Sequence, residues 1–148
     1  MADQLLLRKQ VDGILYLTLN NPDRRNSLSS CLLAELKDNL DDIHDDSTVR
    51  VVVIRSQGPA FSSGHDLNEL VNRDTESYTI LFAACTSVME AIRLSPKPVI
   101  AEVQGIATAA GCQLVATCDL AIASETALFA TPGVQIGLFC TTPGAVSY

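Results

Sequence analysis

Val99-Ile100-Ala101-Glu102-Val103 runs through Gln104 into Gly105-Ile106-Ala107-Thr108-Ala109-Ala110-Gly111-Cys112-Gln113-Leu114. The first five residues read as a short strand, apolar and partly β-branched. Pro96-Lys97-Pro98 before them stops the preceding helix, because proline has no N–H to donate and restricts its predecessor. Gly105 to Gly111 is small and loop-like. Cys112 to Thr117 reads as a helix, with its start near Ala110. A strand, a small-residue connection and a helix in succession form an α/β unit, and the rest of the chain repeats the alternation.

Upstream, Thr75 to Leu94 reads as a helix, with Tyr78, Leu81, Phe82, Cys85, Val88, Met89 and Ile92 as a core stripe at helical spacing. Val49 to Ile54 is a β-branched apolar run broken only by Arg50, as in a buried parallel strand, and Gln57 to Gly64 reads as a loop. Ser29 suits an N-cap, after which Leu32, Leu33, Leu36, Leu40 and Ile43 share one helix face. Asp38, Asp41, Asp42, Asp45, Asp46 and His44 read as solvated. Val11 to Leu19 reads as a strand ended by Asn20-Asn21-Pro22-Asp23, with Leu5 to Leu7 as its hairpin partner. Downstream, Asp119 to Ala123 is a strand, and Ala127 to Gly137 is extended with a Pro132-Gly133 turn. Strands alternating with helices give a parallel, right-handed α/β arrangement. No repeat, low-complexity segment or linker interrupts residues 1–148, which read as a single domain.

The 148 residues carry 10 basic and 17 acidic side chains, a net charge of −7, which argues against nucleic acid as a partner and against an anionic membrane surface. An anionic small molecule remains open, because a local site can oppose the global field. No apolar run reaches a membrane span, and Met1-Ala2-Asp3-Gln4 opens neither a signal peptide nor a recognisable transit peptide. Cys31, Cys85, Cys112, Cys118 and Cys140 are odd in number and form no Cys-x-x-Cys, so neither a disulfide framework nor a metal site is expected. Thr141-Thr142-Pro143-Gly144-Ala145 reads as the start of a helix just before Tyr148, so the chain reads as the N-terminal part of a larger domain. An apolar face left exposed is the expected consequence.

Two small-residue segments carry the chemistry. Ala60-Phe61-Ser62-Ser63-Gly64-His65-Asp66-Leu67 follows a strand, and Gly105 to Leu114 joins a strand to a helix. Small residues let a ligand approach the backbone. A helix starting near Ala110 aims free N–H groups and the positive end of its dipole at whatever binds there. Two N–H groups from separate loops are what an oxyanion hole requires.

Those segments, with their neighbours, resemble the crotonase (enoyl-CoA hydratase/isomerase) superfamily over nearly the whole chain. The matching stretches are Asn21-Pro22 through Asn26-Ser27-Leu28, Phe61 to Leu67, Pro96 to Ala101 running into Gly105, Ala110 to Leu114, Cys118 to Ala123, Phe129-Ala130-Thr131-Pro132 and Gly137-Leu138. The resemblance implies a crotonase-type ββα spiral, here its N-terminal part without the C-terminal helical region. It implies a role in fatty-acid and lipid metabolism. It implies that the His65 and Ala110 N–H groups hold the thioester oxygen of an acyl-CoA. Coenzyme A, present only as part of the substrate, is placed along Ser63, His65, Asp66, Leu67 and Asn68, beside Ala110. Because His65 acts through its N–H, its imidazole need not be catalytic. Asp66 sits where the family has a structural aspartate, while Glu69 and Glu102 match no family role. Arg24 and Arg25 either face the CoA phosphates or lie in a solvated turn. The resemblance also implies a mitochondrial compartment. The family's homotrimer belongs to its full domain and is not carried over to this chain.

The departures from the pattern concern water addition. The family's two hydratase glutamates fall on Gln113 and Gly133, and a third acidic position, used by some isomerases, falls on Thr141. An amide orients water but cannot take its proton near neutral pH, and glycine does neither. Three readings follow: an acyl-CoA-binding protein with little or no hydratase activity, in which Gln113 is a neutral wall residue; an enzyme needing only enolate stabilisation, such as a decarboxylase of a malonyl-type thioester; or a non-catalytic interaction or regulatory fragment. A serine hydrolase is disfavoured, because Ser62 and Ser63 stand in no Gly-x-Ser-x-Gly context.

Overall fold

A computed structural model describes residues 4–136. Leu6–Val11 (β1) and Ile14–Leu19 (β2) form an antiparallel hairpin around Asp12-Gly13. Both turn residues have positive φ, 51° and 81°, as a two-residue turn matched to strand twist demands. Val11 therefore belongs to the first strand and not the second, a correction to the continuous Val11–Leu19 reading. The polar turn pair cuts an otherwise uniform apolar run.

Ser30–Asp42 (α1) starts where the serine cap was expected, with the Ser29 side chain accepting from the Leu32 N–H. Leu32, Leu33, Leu36 and Leu40 are buried on its inner face. Val51–Ser56 (β3) follows, with Val52 and Ile54 fully buried on one face and Val51 and Val53 half-buried on the other. Ala60–Ser62 is a strand (β4), so the expected 57–64 loop is shorter than its sequence suggests. Thr75–Arg93 (α2) buries Leu81, Cys85, Val88, Met89 and Ile92 against α1 and the core. Phe82, read as part of that stripe, is instead 48% exposed.

Val99–Val103 (β5) leads to Ile106–Thr108 (β6), a second strand inside a stretch expected to be loop. Ala110–Thr117 (α3), Leu120–Ala123 (β7) and Leu128–Ala130 (β8) complete the order, and Pro132–Ile136 forms a 3-10 turn. The strands build two sheets, one ordered β1-β2-β3-β5-β7 and one ordered β4-β6-β8. Among the described residues every pairing beyond the first hairpin is parallel. Each repeat sends one strand to the large sheet and the next to the small sheet: β3 then β4, β5 then β6, β7 then β8. This is the expected spiral.

Among the described residues β7 and β8 are the last strands of their sheets. Leu120 and Ile122 on β7, with Leu128 and Phe129 on β8, are exposed apolar side chains. Among the described residues no helix is long and apolar enough to cross a membrane, and no group of His, Cys, Asp and Glu could hold a metal ion. The Met1–Asp3 start, Gly137-Leu138, Cys140, Thr141 and the helix anticipated at 141–145 lie outside the described residues.

Candidate functional site

The small sheet brings the two small-residue segments together. β4 and β6 are paired, so Ser63-Gly64-His65, leaving β4, runs beside Thr108-Ala109-Ala110, leaving β6. Gly64 lies at the contact with φ +89°. A Cβ placed on it would stand 3.0 Å from the Ala109 Cβ, 3.0 Å from the Thr108 carbonyl oxygen and 3.1 Å from the Ala110 nitrogen. The Thr108 hydroxyl donates to the Ser63 carbonyl at 3.1 Å and ties the loops laterally. Gly111 permits the next contact, because a Cβ there would meet the Ser62 carbonyl oxygen at 2.5 Å.

Ala109 precedes α3 with φ 50° and ψ −123°, a conformation costly for any residue with a Cβ. Its own N–H donates to the Ala130 carbonyl at 3.0 Å, so the end of β8 holds the strained residue in place. The Ala110 N–H is then the first in α3, where helix geometry supplies no acceptor. Across the contact, Leu28 N–H donates to Gly64 C=O at 2.8 Å, and Ser63 N–H donates to Arg25 C=O at 3.0 Å. The chain is thereby fixed on both sides of His65. Among the described residues neither the His65 N–H nor the Ala110 N–H finds an acceptor.

The loop from 21 to 28 is a frame for this cradle. Asn26, fully buried and at φ 51°, donates from Nδ2 to the carbonyls of Gln57 and Ala60, both at 2.8 Å. Its Oδ1 accepts from the Asn21 N–H at 2.8 Å. An amide here bonds two carbonyls and one N–H at once, which no carboxylate can do. Arg24 and Arg25 are exposed at the outer side of the same loop.

The His65 imidazole stands edge-on to Phe82, with centroids 5.2 Å apart. Burial lowers its pKa below the ordinary 6.5, opposed by the Glu69 charge and by the Leu28 backbone hydrogen bond. The ring is accordingly neutral at neutral pH. Asp66 takes a structural role, with its carboxylate accepting from the Asn68 N–H and side-chain amide, each at 2.9 Å. Leu67 and Asn68 are exposed beyond it. Glu69, unmatched in the sequence, accepts from the Ser30 N–H at 2.9 Å and from the Ser30 hydroxyl at 2.8 Å. It caps α1 and is occupied there. Glu102 is exposed on β5.

Gln113 lies one turn into α3, 6% exposed, with its Oε1 buried and unpartnered. Gly133 is buried in the 3-10 turn that follows β8. Thr141 lies outside the described residues. A crevice of about 480 Å³ runs between α1 and α2 along Lys37, Leu40, His44 and Glu90, away from this cradle. A smaller one of about 290 Å³ lies beside Glu69, Arg73 and Ile80.

Sequence reasoning missed Ala109 and Thr108 as holding residues, and Phe82 as the neighbour of His65. Strain at an alanine has no sequence signal. The exposure of Phe82 was hidden by its helical spacing, which looks like core.

The family model described as "Enoyl-CoA hydratase/isomerase" matches residues 9–147. Human "Enoyl-CoA hydratase domain-containing protein 3, mitochondrial" is 50% identical over 137 residues, which is 92% of this chain and 45% of that protein. The "2,3-dehydroadipyl-CoA hydratase" of Escherichia coli K12 is 34% identical over 98% of this chain and 54% of its own length. The crystal structure of the human domain-containing protein 3 superposes with a TM-score of 0.94 at 47% identity, covering 97% of this chain and 57% of that one. An enoyl-CoA hydratase from Mycobacterium smegmatis gives a TM-score of 0.94 at 50% identity, over 98% of this chain and 57% of that one. The chain spans about half the length of the curated relatives it matches.

Proposed function

Because the chain belongs to the enoyl-CoA hydratase/isomerase (crotonase) family, we propose that it binds acyl-CoA thioesters and adds water to them weakly or not at all. The thioester oxygen sits between the N–H groups of His65 and Ala110. The observation that carries this reading is the contact at Gly64, where a left-handed glycine lets the two loops close so far that a Cβ there would stand 3.1 Å from the Ala110 nitrogen, and where among the described residues both N–H groups are without an acceptor. Such a preorganised donor pair stabilises the charge that develops on a thioester oxygen and needs no reorganisation at the moment of reaction. Coenzyme A runs along Ser63 to Asn68, where Leu67 and Asn68 are open to solvent.

Catalysis of hydration is the weak point. At the positions of the family's two glutamates this chain has the Gln113 amide and the side-chain-free Gly133. Loss of a general acid–base group costs on the order of 10²–10⁴-fold in rate. Glu69 and Asp66 do not substitute, since their carboxylates are committed to Ser30 and Asn68. The family's role in lipid metabolism and the mitochondrial compartment printed in the relatives' names belong to the same proposal.

The test is thermal unfolding of the chain with and without acetoacetyl-CoA, whose enolate carries the charge the donor pair is built for. A ligand that binds only the native state raises stability by about 2.7 kcal/mol at a hundredfold excess over Kd. A raised transition together with negligible hydration of crotonyl-CoA is the expected result. An unshifted transition removes the binding reading, and hydration at the rate of a glutamate-bearing relative removes the second half.

A further inference from the structure

α1 and α2 pack against each other, and the crevice of about 480 Å³ between them opens away from the His65–Ala110 cradle. Its walls follow the helical period. Lys37, Leu40 and His44 come from α1 and the turn after it, and Ser87, Ala91 and Leu94 come from α2 and its cap. Each set steps by three or four residues, so one face of each helix lines the groove. The run along each wall is roughly 10 Å, at about 1.5 Å per residue. Leu40 is buried and Ala91 half-buried, which makes them the floor. Leu94 stands at the mouth, 77% exposed.

Charge is concentrated beside this floor. Residues 35–46 hold six acidic side chains and one basic, most of the net −7 of the whole chain. Lys37 is neutralised by Asp41 at 2.5 Å, and Asp42 is paired with Arg8 at 3.3 Å. Among the described residues no cation pairs with Asp38, Asp45 or Glu90. Glu90 lines the crevice, and Asp38 and Asp45 adjoin Lys37 and His44 in sequence.

We propose that this groove docks a basic amphipathic helix of a partner protein. Its apolar side chains rest on Leu40, Ala91 and Leu94, and its Lys or Arg residues face Glu90, Asp38 and Asp45. A third helix suits two helical walls, because its ridges fit the groove between them. The charge selects the occupant. A second copy of this chain brings its own acidic excess, and residues 137–148 contain no Lys or Arg. Nucleic acid and anionic membrane are repelled. The surface is separate from the acyl-CoA cradle, so the inference stands or falls independently of that reading.

The probe is a dye-labelled peptide, Leu-Lys-Lys-Leu-Leu-Lys-Leu written twice, titrated with the full chain and followed by fluorescence anisotropy. Saturable binding that weakens as salt is raised is expected. The same peptide with glutamate for lysine should bind at least about tenfold more weakly. Leu94→Asp and Glu90→Lys should each weaken binding of the lysine peptide at least about tenfold. Both replace exposed side chains, and a thermal melt of each checks folding. Ile122→Asp, on the exposed apolar strand β7, should leave affinity within about twofold. Absence of saturable binding, equal binding of the glutamate peptide, or affinity unchanged in both groove variants overturns the inference. Loss of binding in Ile122→Asp overturns it too, because the peptide then sits on the sheet and not between the helices.

Discussion

Gly64→Ala is the sharpest perturbation of the cradle. The backbone there has φ +89°, and the new methyl group would sit 3.0 Å from the Thr108 carbonyl oxygen and 3.1 Å from the Ala110 nitrogen. A positive φ costs a Cβ-bearing residue about 1–2 kcal/mol, and overpacking against backbone atoms adds about 1–3 kcal/mol. The restricted unfolded chain returns about 0.4–1 kcal/mol. The net loss is about 3 kcal/mol, a large share of the roughly 5–15 kcal/mol that holds a domain folded. At roughly 2–4 °C per kcal/mol for a chain of this size, the melting temperature falls by roughly 6–12 °C. The clash also pushes the Ala110 N–H away from His65, so the rise with acetoacetyl-CoA should disappear. Leu36→Ala is the control. Leu36 is fully buried on α1, so truncation costs about 2–5 kcal/mol while the ligand-induced rise persists. Circular dichroism melts with and without ligand read both quantities. A Gly64→Ala chain that melts within about 2 °C of the original and shifts equally with ligand would refute the close-approach argument.

Three further outcomes are expected. Asn26→Asp removes two donors and sets a carboxylate against the Gln57 and Ala60 carbonyls, and should cost about 2–4 kcal/mol; an unchanged denaturant midpoint would show that the 21–28 loop does not depend on it. Ala109→Gly relieves the strain at φ 50° and should leave stability level or raise it by up to about 2 kcal/mol, the strain of roughly 1–3 kcal/mol less the added unfolded-state entropy; destabilisation of about 1 kcal/mol or more would contradict the strain assignment. His65 has a lowered folded pKa, so the unfolded chain takes up its proton first as pH falls. Its contribution to stability is complete above about 6.5 and is lost as pH drops from there through the folded value. Urea unfolding at several pH values should show this slope in the original chain and a shallower one in His65→Gln, and identical slopes would exclude it.

The helices and the central strands were legible because their signals are local. The Ser29 cap and the Leu32, Leu33, Leu36, Leu40 stripe specify α1 at helical period, and the β-branched run from Val51 marks β3. The pairing of the two small-residue segments was legible as composition and order, since Gly64 and Gly111 stand where only a missing side chain lets backbones meet. Asp12-Gly13 was a turn signal in plain view, obscured by the apolar residues on both sides of it.

The rest belongs to tertiary structure. β4, β6 and β8 are three residues each, too short to show a period, and they exist because parallel partners far away in sequence supply their hydrogen bonds. The commitment of Glu69 to Ser30 depends on a contact across 39 residues, and the strain at Ala109 depends on a bond from its N–H to Ala130. A side chain's type is set by the sequence. Whether its acceptor is filled, as at Glu69, or left empty, as at Gln113, is set by what the fold brings within hydrogen-bond distance, because hydrogen bonds act over about 3 Å and the chain must first bring the partners there.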